Sequence, residues 1–184
     1  MRNKNHIELR GKKVLLRPPT MKDFREFAAM SKASRAAFRT LATTHFTRQR
    51  FAEWIGNWKR DDARTFLICR QPDGVIVGSM GLFNIVRRQV KTSFIGYSVG
   101  AAHQRQGYAT EALQLVLRFA FRKLRLHRVE ASIQPRNKPS RALVKRAGFQ
   151  CEGLSQRLVK IGGRWRDHER WAILAEDWRP LRRK

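Results

Sequence analysis

Read for polarity alone, the chain has one dominant pattern. Over residues 107–124, apolar side chains fall at 112, 113, 116, 117, 120 and 124, the i, i+3, i+4 stripe of an amphipathic helix. Glu111, Gln114, Arg118, Arg122 and Arg125 take the opposite face. Just before it, Phe94-Ile95-Gly96-Tyr97-Ser98-Val99 reads as a strand. Towards the N-terminus, residues 7–17 read as a strand around Val14, Leu15 and Leu16, ended by Pro18-Pro19. Thr20 with Asp23 three residues on suggests a helix cap, followed by a helix carrying Met21, Phe24, Phe27, Ala28 and Met30. A second helix is expected from near Thr47 through Phe51, Trp54, Ile55 and Trp58, and the stretch from Ser34 to His45 fits helix or loop.

Two β-rich runs, 65–69 and 75–82, flank Gln71-Pro72-Asp73-Gly74, which predicts a hairpin. Gly78 and Gly81 inside the second run suggest a bulge or a close approach of another backbone. Arg87-Arg88-Gln89 reads as a turn into the Phe94 strand. Further on, Asn137-Lys138-Pro139-Ser140 opens a helix through Ala142, Leu143, Val144 and Ala147, closed by Gly148. The order is three antiparallel strands, then strand, helix, strand, helix, strand, strand. No repeat, low-complexity stretch or linker interrupts it.

Composition narrows the class. At 184 residues, with 42% hydrophobic and 29% charged residues, the chain suits one globular domain with a real core. No apolar run approaches a membrane span, and Met1 to His6 lacks a signal-peptide core, so a cytoplasmic protein is expected. Cys69 and Cys151 lie in apolar strand-like contexts without a CxxC pair, which predicts reduced core thiols and no structural metal. The charge stands out: 40 Lys and Arg against 14 Asp and Glu give +26. Such an excess favours polyanions such as RNA, although an anionic cofactor or plain solubility would also use it. The basic ends, Met1 to Lys13 and Arg179 to Lys184, are expected to be mobile. Trp54, Trp58, Trp165, Trp171 and Trp178 fall on apolar stripes or strands, so core positions are expected ahead of RNA-stacking platforms.

The candidate chemistry sits between the Phe94 strand and the long helix, in Val99-Gly100-Ala101-Ala102-His103-Gln104-Arg105-Gln106-Gly107-Tyr108-Ala109-Thr110. A helix start offers unpaired N–H groups and the positive end of its dipole, which suits phosphate oxygens. Gly107 removes a Cβ where a ligand would approach, and Arg105 adds charge-assisted donors. Taken alone, the loop fits a basic surface turn equally well. There is no GxxxxGK[ST], no GxGxxG after a strand and no HExxH.

Gln104-Arg105-Gln106-Gly107-Tyr108-Ala109 resembles the Gln/Arg-x-x-Gly-x-Gly/Ala signature of the GCN5-related N-acetyltransferases. Gly96-Tyr97-Ser98-Val99-Gly100, Leu126-His127-Arg128-Val129, Asn137-Lys138-Pro139-Ser140, Ala147-Gly148-Phe149, Ile161-Gly162-Gly163-Arg164-Trp165 and Glu176-Asp177-Trp178-Arg179-Pro180 follow in family order. The series resembles the RimJ/RimL branch, ribosomal-protein-alanine N-acetyltransferases, and is most similar to RimJ. The likeness covers residues 8–180, leaving 1–7 and 181–184 as basic termini.

The resemblance implies an α/β acyl-CoA N-acyltransferase fold: a mixed, V-split central sheet with helices on both faces, in a single domain. It implies acetyl coenzyme A held by Val99, Gln104, Arg105, Gln106, Gly107, Tyr108, Ala109, Thr110, Asn137 and Ser140. The Val99 N–H would polarise the thioester carbonyl, Asn137 would touch the pantetheine arm, and Ser140 would act as catalytic acid at the sulfur. No metal is implied. The acceptor would be the N-terminal amine of a ribosomal protein, met by a monomer or homodimer with ribosome or rRNA association through its basic surface.

Phe38, His45 and Phe46 could line the acceptor site, though their apolar setting favours core. No general base is assigned. Val159 or Lys160 stands where RimL-like enzymes carry a Glu, and Ser132 where RimI-like enzymes carry their base. Glu130 reads as a salt-bridge partner, and Asp167-His168-Glu169 is the other candidate set. An α-amine, with a reference pKa near 7.7–8, needs a base less than a lysine near 10.4 does. The alternatives are an acetyltransferase acting on a small amine or another protein, and a basic ribosome- or RNA-binding module with a vestigial coenzyme A site.

Overall fold

The computed structural model describes residues 7–40, 47–56, 60–71 and 73–180. The expected strand over 7–17 is two strands, β1 (Leu9–Arg10) and β2 (Val14–Arg17), paired antiparallel around a tight turn. A single 3-10 turn (Met21–Asp23) leads into α1 (Phe24–Ala33). The Asp23 carboxylate accepts bonds from the Thr20 N–H and hydroxyl at 2.7 and 2.9 Å and pairs with Arg17 at 2.6 Å. Phe38, on a 3-10 turn spanning Ala37–Thr40, is buried, as its apolar character suggested. His45, Phe46, Trp58 and Pro72 lie outside the described residues. The chain continues through α2 (Arg48–Gly56), β3 (Arg64–Arg70) and β4 (Ile76–Val86) to β5 (Thr92–Val99) and α3 (Tyr108–Arg122). It ends with β6 (Arg128–Ile133), α4 (Lys138–Ala147), β7 (Gln150–Ile161) and β8 (Arg164–Leu174).

The strands form one sheet in the order β1-β2-β3-β4-β5-β6-β8-β7. Period-2 alternation in β3 sorts its side chains between two cores, because successive residues point to opposite faces. Phe66 and Ile68 join the larger core with Ala112, Val116, Leu117 and Ala120 of α3 and Val144 of α4. Leu67 and Cys69 pack with Phe27 of α1 and Phe51 of α2. Helices therefore cover both faces, which explains a strand buried on both sides. The Phe27 and Trp54 rings stack at 5.3 Å.

The close approach expected at Gly78 is present: a Cβ there would lie 2.2 Å from the Ser98 carbonyl oxygen of β5. Two expectations fail at the far edge of the sheet. Cys69 is buried, with its thiol pKa pushed up by burial, but Cys151 is exposed. Trp54, Trp171 and Trp178 pack in or against the cores, whereas Trp165 is 59% exposed. Both failures sit on the β7–β8 hairpin. β7 is the edge strand, and most of its residues are exposed.

Candidate active site

β5 and β6 are parallel neighbours, but their pairing spans only Thr92↔Arg128, Ser93↔Val129 and Phe94↔Glu130. Beyond Phe94 the two strands part, and the sheet opens into the expected V. On its other side, β5 stays paired with β4 as far as Val99. The Gly100 N–H donates to the Val77 carbonyl at 2.9 Å, so Val77 and Gly100 are a hydrogen-bonded pair of that ladder. Antiparallel ladders alternate, so Tyr97 and Val99 belong to the intervening pairs, and their N–H and C=O groups point away from β4, into the V. The Val99 N–H thus faces the opening.

At the end of β5 the chain makes one 3-10 turn, Ala101–His103, and reaches α3 through Gly107. Gly107 has φ +87°, in the left-handed region that only glycine adopts freely. No side chain caps α3, so its first N–H groups remain available. Gln104, Arg105 and Gln106 are exposed, and Ala109 and Thr110 are half-buried. The Gln104 amide donates to the Val99 carbonyl at 3.3 Å, tying the loop back to the strand. Tyr108 is buried in the larger core, so its side chain is structural and the main chain is what it can offer a ligand.

Three residues outside the expected site set shape this geometry. Glu111, in the first turn of α3, accepts from the N–H groups of Lys12, Lys13 and Val14 at 2.6, 2.7 and 3.1 Å. The β1–β2 turn, expected to belong to a mobile tail, is thereby clamped against the loop. This places Lys13 Nζ 3.1 Å from the Gln106 carbonyl and 3.5 Å from the position a Cβ on Gly107 would take. The third residue is Tyr97, whose hydroxyl lies 2.7 Å from Ser140 Oγ. Burial pushes its pKa up to about 12, against the opposing effect of the Ser140 bond, so it stays a neutral hydroxyl. Its one sequence clue is its two-residue spacing from Val99, which puts both on one face of the strand.

The other arm of the V ends in the turn that starts α4. Asn137 Oδ1 accepts from the Ser140 N–H at 3.3 Å, the N-cap expected from sequence, and Pro139 fits the first turn. Ser140 is therefore tied across the V to β5 through Tyr97, which stands two residues before Val99 on that strand.

Each candidate base has at least one partner. Glu130 meets Arg128 Nε and Thr92 Oγ1, both at 3.1 Å, as the salt-bridge reading anticipated. Asp167 accepts from the Arg157 N–H, and Glu169 meets Arg141 and the Trp171 indole. His168 is buried, with Nδ1 2.9 Å from the Arg166 carbonyl. Val159 and Lys160 supply no carboxylate. Among the described residues, no group of three His, Cys, Asp or Glu side chains could hold a metal. A cavity of about 210 Å³ lies beside the Asn137 turn, lined by Gln134, Pro135, Arg136, Arg166 and Asp167.

This split sheet with an uncapped helix at its mouth has known counterparts. Residues 13–150 match the family model for the acetyltransferase (GNAT) domain. The chain is 36% identical over 177 residues to the probable N-acetyltransferase YjcK of Bacillus subtilis, covering 92% of this chain and 98% of that protein. It is 37% identical over 107 residues to the [ribosomal protein uS5]-alanine N-acetyltransferase of Escherichia coli, a match spanning 58% of this chain and 55% of that one. Among solved structures, Mycobacterium smegmatis RimJ in complex with CoA-disulfide superposes with a TM-score of 0.82 at 30% identity, covering 89% of this chain and 82% of that one. The chain belongs to the GNAT acetyltransferase family. It is an acetyltransferase whose acetyl donor is acetyl coenzyme A. The residues present fit that donor. Gly107 carries no Cβ, and among the described residues the only atom near that position is the flexible Lys13 Nζ at 3.5 Å; α3 presents uncapped N–H groups, and Lys13 and Arg105 bring positive charge to the loop.

Proposed function

We propose that this enzyme acetylates the N-terminal α-amine, an alanine, of a ribosomal protein. The observation that carries the reading is that, among the described residues, Glu130 and Glu169 are held in ion pairs with Arg128 and Arg141, and Val159 and Lys160 supply no carboxylate. An acceptor that loses its proton unaided then holds a large advantage. At pH 7.5 the neutral fraction of an α-amine exceeds that of a lysine side chain by about 250-fold, from the reference values alone. The relative from E. coli named for an alanine of uS5 supports the acceptor class.

In this reading the loop Gln104, Arg105, Gln106, Gly107, Tyr108, Ala109 and Thr110 holds the coenzyme phosphates through main-chain N–H groups and Arg105, with Lys13 beside them. Bound acetyl coenzyme A supplies an activated thioester. The Val99 N–H donates to its carbonyl oxygen, where negative charge grows during transfer. Asn137 fixes the start of α4 and meets the pantetheine arm. Ser140, its Oγ held by Tyr97, donates to the sulfur as it gains charge. The amine sheds its proton to water. The reading places the enzyme in the cytoplasm with the ribosome; no helix among the described residues is long and apolar enough to cross a membrane. The deciding experiment compares intact masses of ribosomal proteins with and without the gene, alongside a peptide assay. One protein lighter by one acetyl group is expected, and a peptide blocked at its N-terminus but rich in lysine stays unmodified. Acetylation of that blocked peptide, or faster acetylation of polyamines, would overturn the proposal.

A further inference from the structure

β6 ends at Ile133, and the chain turns through Gln134, Pro135 and Arg136 to the Asn137 cap of α4. β8 loses its β6 partner at the same place, at Ile133↔Glu169, and its other end is paired with β7 alone, as a two-stranded ribbon. The turn and the ribbon diverge around the cavity of about 210 Å³, the turn contributing Gln134, Pro135 and Arg136 and the ribbon Arg166 and Asp167. Asn137 and Ser140, read above as meeting the pantetheine arm and the sulfur, follow directly. The phosphate loop stands on the other arm of the V, after β5. In that reading the cavity adjoins the thioester end of the donor, where an acceptor has to arrive, and not the coenzyme phosphates.

The lining holds two guanidiniums and one carboxylate. Arg136 Nε donates to the amide oxygen of the buried Gln134 at 3.0 Å, which fixes the side chain. Arg166 is half-buried, and its Nε is closed to solvent without a hydrogen-bond partner among the described residues. Arg128 and Arg141, also half-buried, are each paired with a glutamate. Among the described residues no acid does this for Arg136 or Arg166, and Asp167 Oδ1 takes the Arg157 N–H at 2.8 Å instead. Drawing a guanidinium part-way out of water with no anion beside it is unfavourable, and an anionic ligand offsets that cost.

Size and charge select the anion. At about 210 Å³ the cavity is smaller than the roughly 300–1,000 Å³ that drug-sized ligands occupy, so it takes a side chain and not a nucleotide. Two arginines against one aspartate leave a single positive charge, which one carboxylate neutralises and a phosphate dianion exceeds. The planar fork of a guanidinium also matches the two oxygens of a carboxylate.

We propose that this cavity is a carboxylate subsite, in which Arg136 and Arg166 bind an Asp or Glu side chain a few residues behind the amine of the acceptor. The inference deepens the N-terminal reading and rests on it only for the source of the carboxylate. The test is kcat/KM on N-terminal alanine peptides that differ only in Glu or Gln at the second, third or fourth position, with circular dichroism to confirm that each variant folds. At one of these positions the Glu peptide should be favoured at least about tenfold, the worth of one hydrogen bond between charged groups. Arg166→Gln should bring that Glu-to-Gln ratio close to one. Arg166→Lys keeps the charge but not the fork and should restore only part of it. Arg136→Gln, at an exposed position, makes the same test should Arg166→Gln fail to fold.

A ratio near one at all three positions in the parent enzyme overturns the proposal, as does a preference for Glu that survives both substitutions to Gln. If no N-terminal peptide is acetylated, the acceptor reading falls, and the subsite is tested with β-alanine against β-alaninamide. A preference for β-alanine that Arg166→Gln abolishes upholds the subsite and assigns its carboxylate to a small acceptor. No such preference overturns it.

Discussion

Two helix starts flank the V, and they are built differently. α3 begins with a glycine at φ +87° and no side-chain cap, so its first N–H groups stay available. α4 begins with Asn137, whose amide oxygen takes the Ser140 N–H, so that start is satisfied from within. The difference separates two tasks of one structural device. An uncapped start with cations beside it holds an anion, whereas a capped start fixes a side chain in place. The acidic residue in the first turn of α3 fits the contrast. Glu111 would oppose a bound phosphate electrostatically, but its carboxylate is taken up by three N–H groups of the β1–β2 turn. That same contact brings Lys13 to the Gln106 carbonyl, beside the start of α3.

The contrast can be broken most sharply at Ser140. Ser140→Ala should lower kcat by about 10- to 150-fold, the worth of a hydrogen bond to a charged partner, and leave coenzyme affinity nearly unchanged. Full turnover in the folded variant would reduce the start of α4 to a structural cap.

At the other start, Gly107→Val places a branched residue in the left-handed region, at the proposed phosphate site. Coenzyme affinity should fall at least about tenfold, or 1.4 kcal/mol, by calorimetry. If the folded variant binds as tightly as the parent, the loop is not the phosphate site. Asn137→Ala tests the capping side and should cost about 1 kcal/mol of stability, with Asn137→Ser recovering most of it in thermal unfolding. A null effect on unfolding would mean that Asn137 serves the ligand and not the helix.

The smallest effect is a pH dependence. Tyr97 has its pKa raised to about 12 in the folded state by burial. Its contribution is therefore fully present below the unfolded tyrosine value, near 10, and is lost as pH rises towards 12. Stability should decline across that alkaline window, and Tyr97→Phe should flatten the decline. The same shift keeps the Tyr97–Ser140 pair protonated near neutrality, so the rise of kcat/KM between pH 7 and 9 should follow the acceptor amine alone. An enzyme ionisation near 7 in kcat/KM that survives a change of acceptor would reveal a base.

Local patterns in the chain by themselves determined much of this protein. The α3 stripe, the β3–β4 turn, the Asn137 cap and the glycine mouth each depend on residues a few positions apart, where helix and turn geometry dictates the partners. The ordered motifs pointed to the split sheet and to acetyl coenzyme A. Tertiary structure decided the rest, because it turned on partners far apart in sequence. Glu111 reaches Lys13 across 98 positions and Tyr97 reaches Ser140 across 43, so neither contact leaves a local trace. Only the strand order reveals that β7 is an edge. An alternating strand pattern predicts two faces but not whether a helix covers each of them. That is why Trp165 and Cys151, which read as core, stand in solvent, and why the ribbon that carries them was invisible until the sheet was assembled.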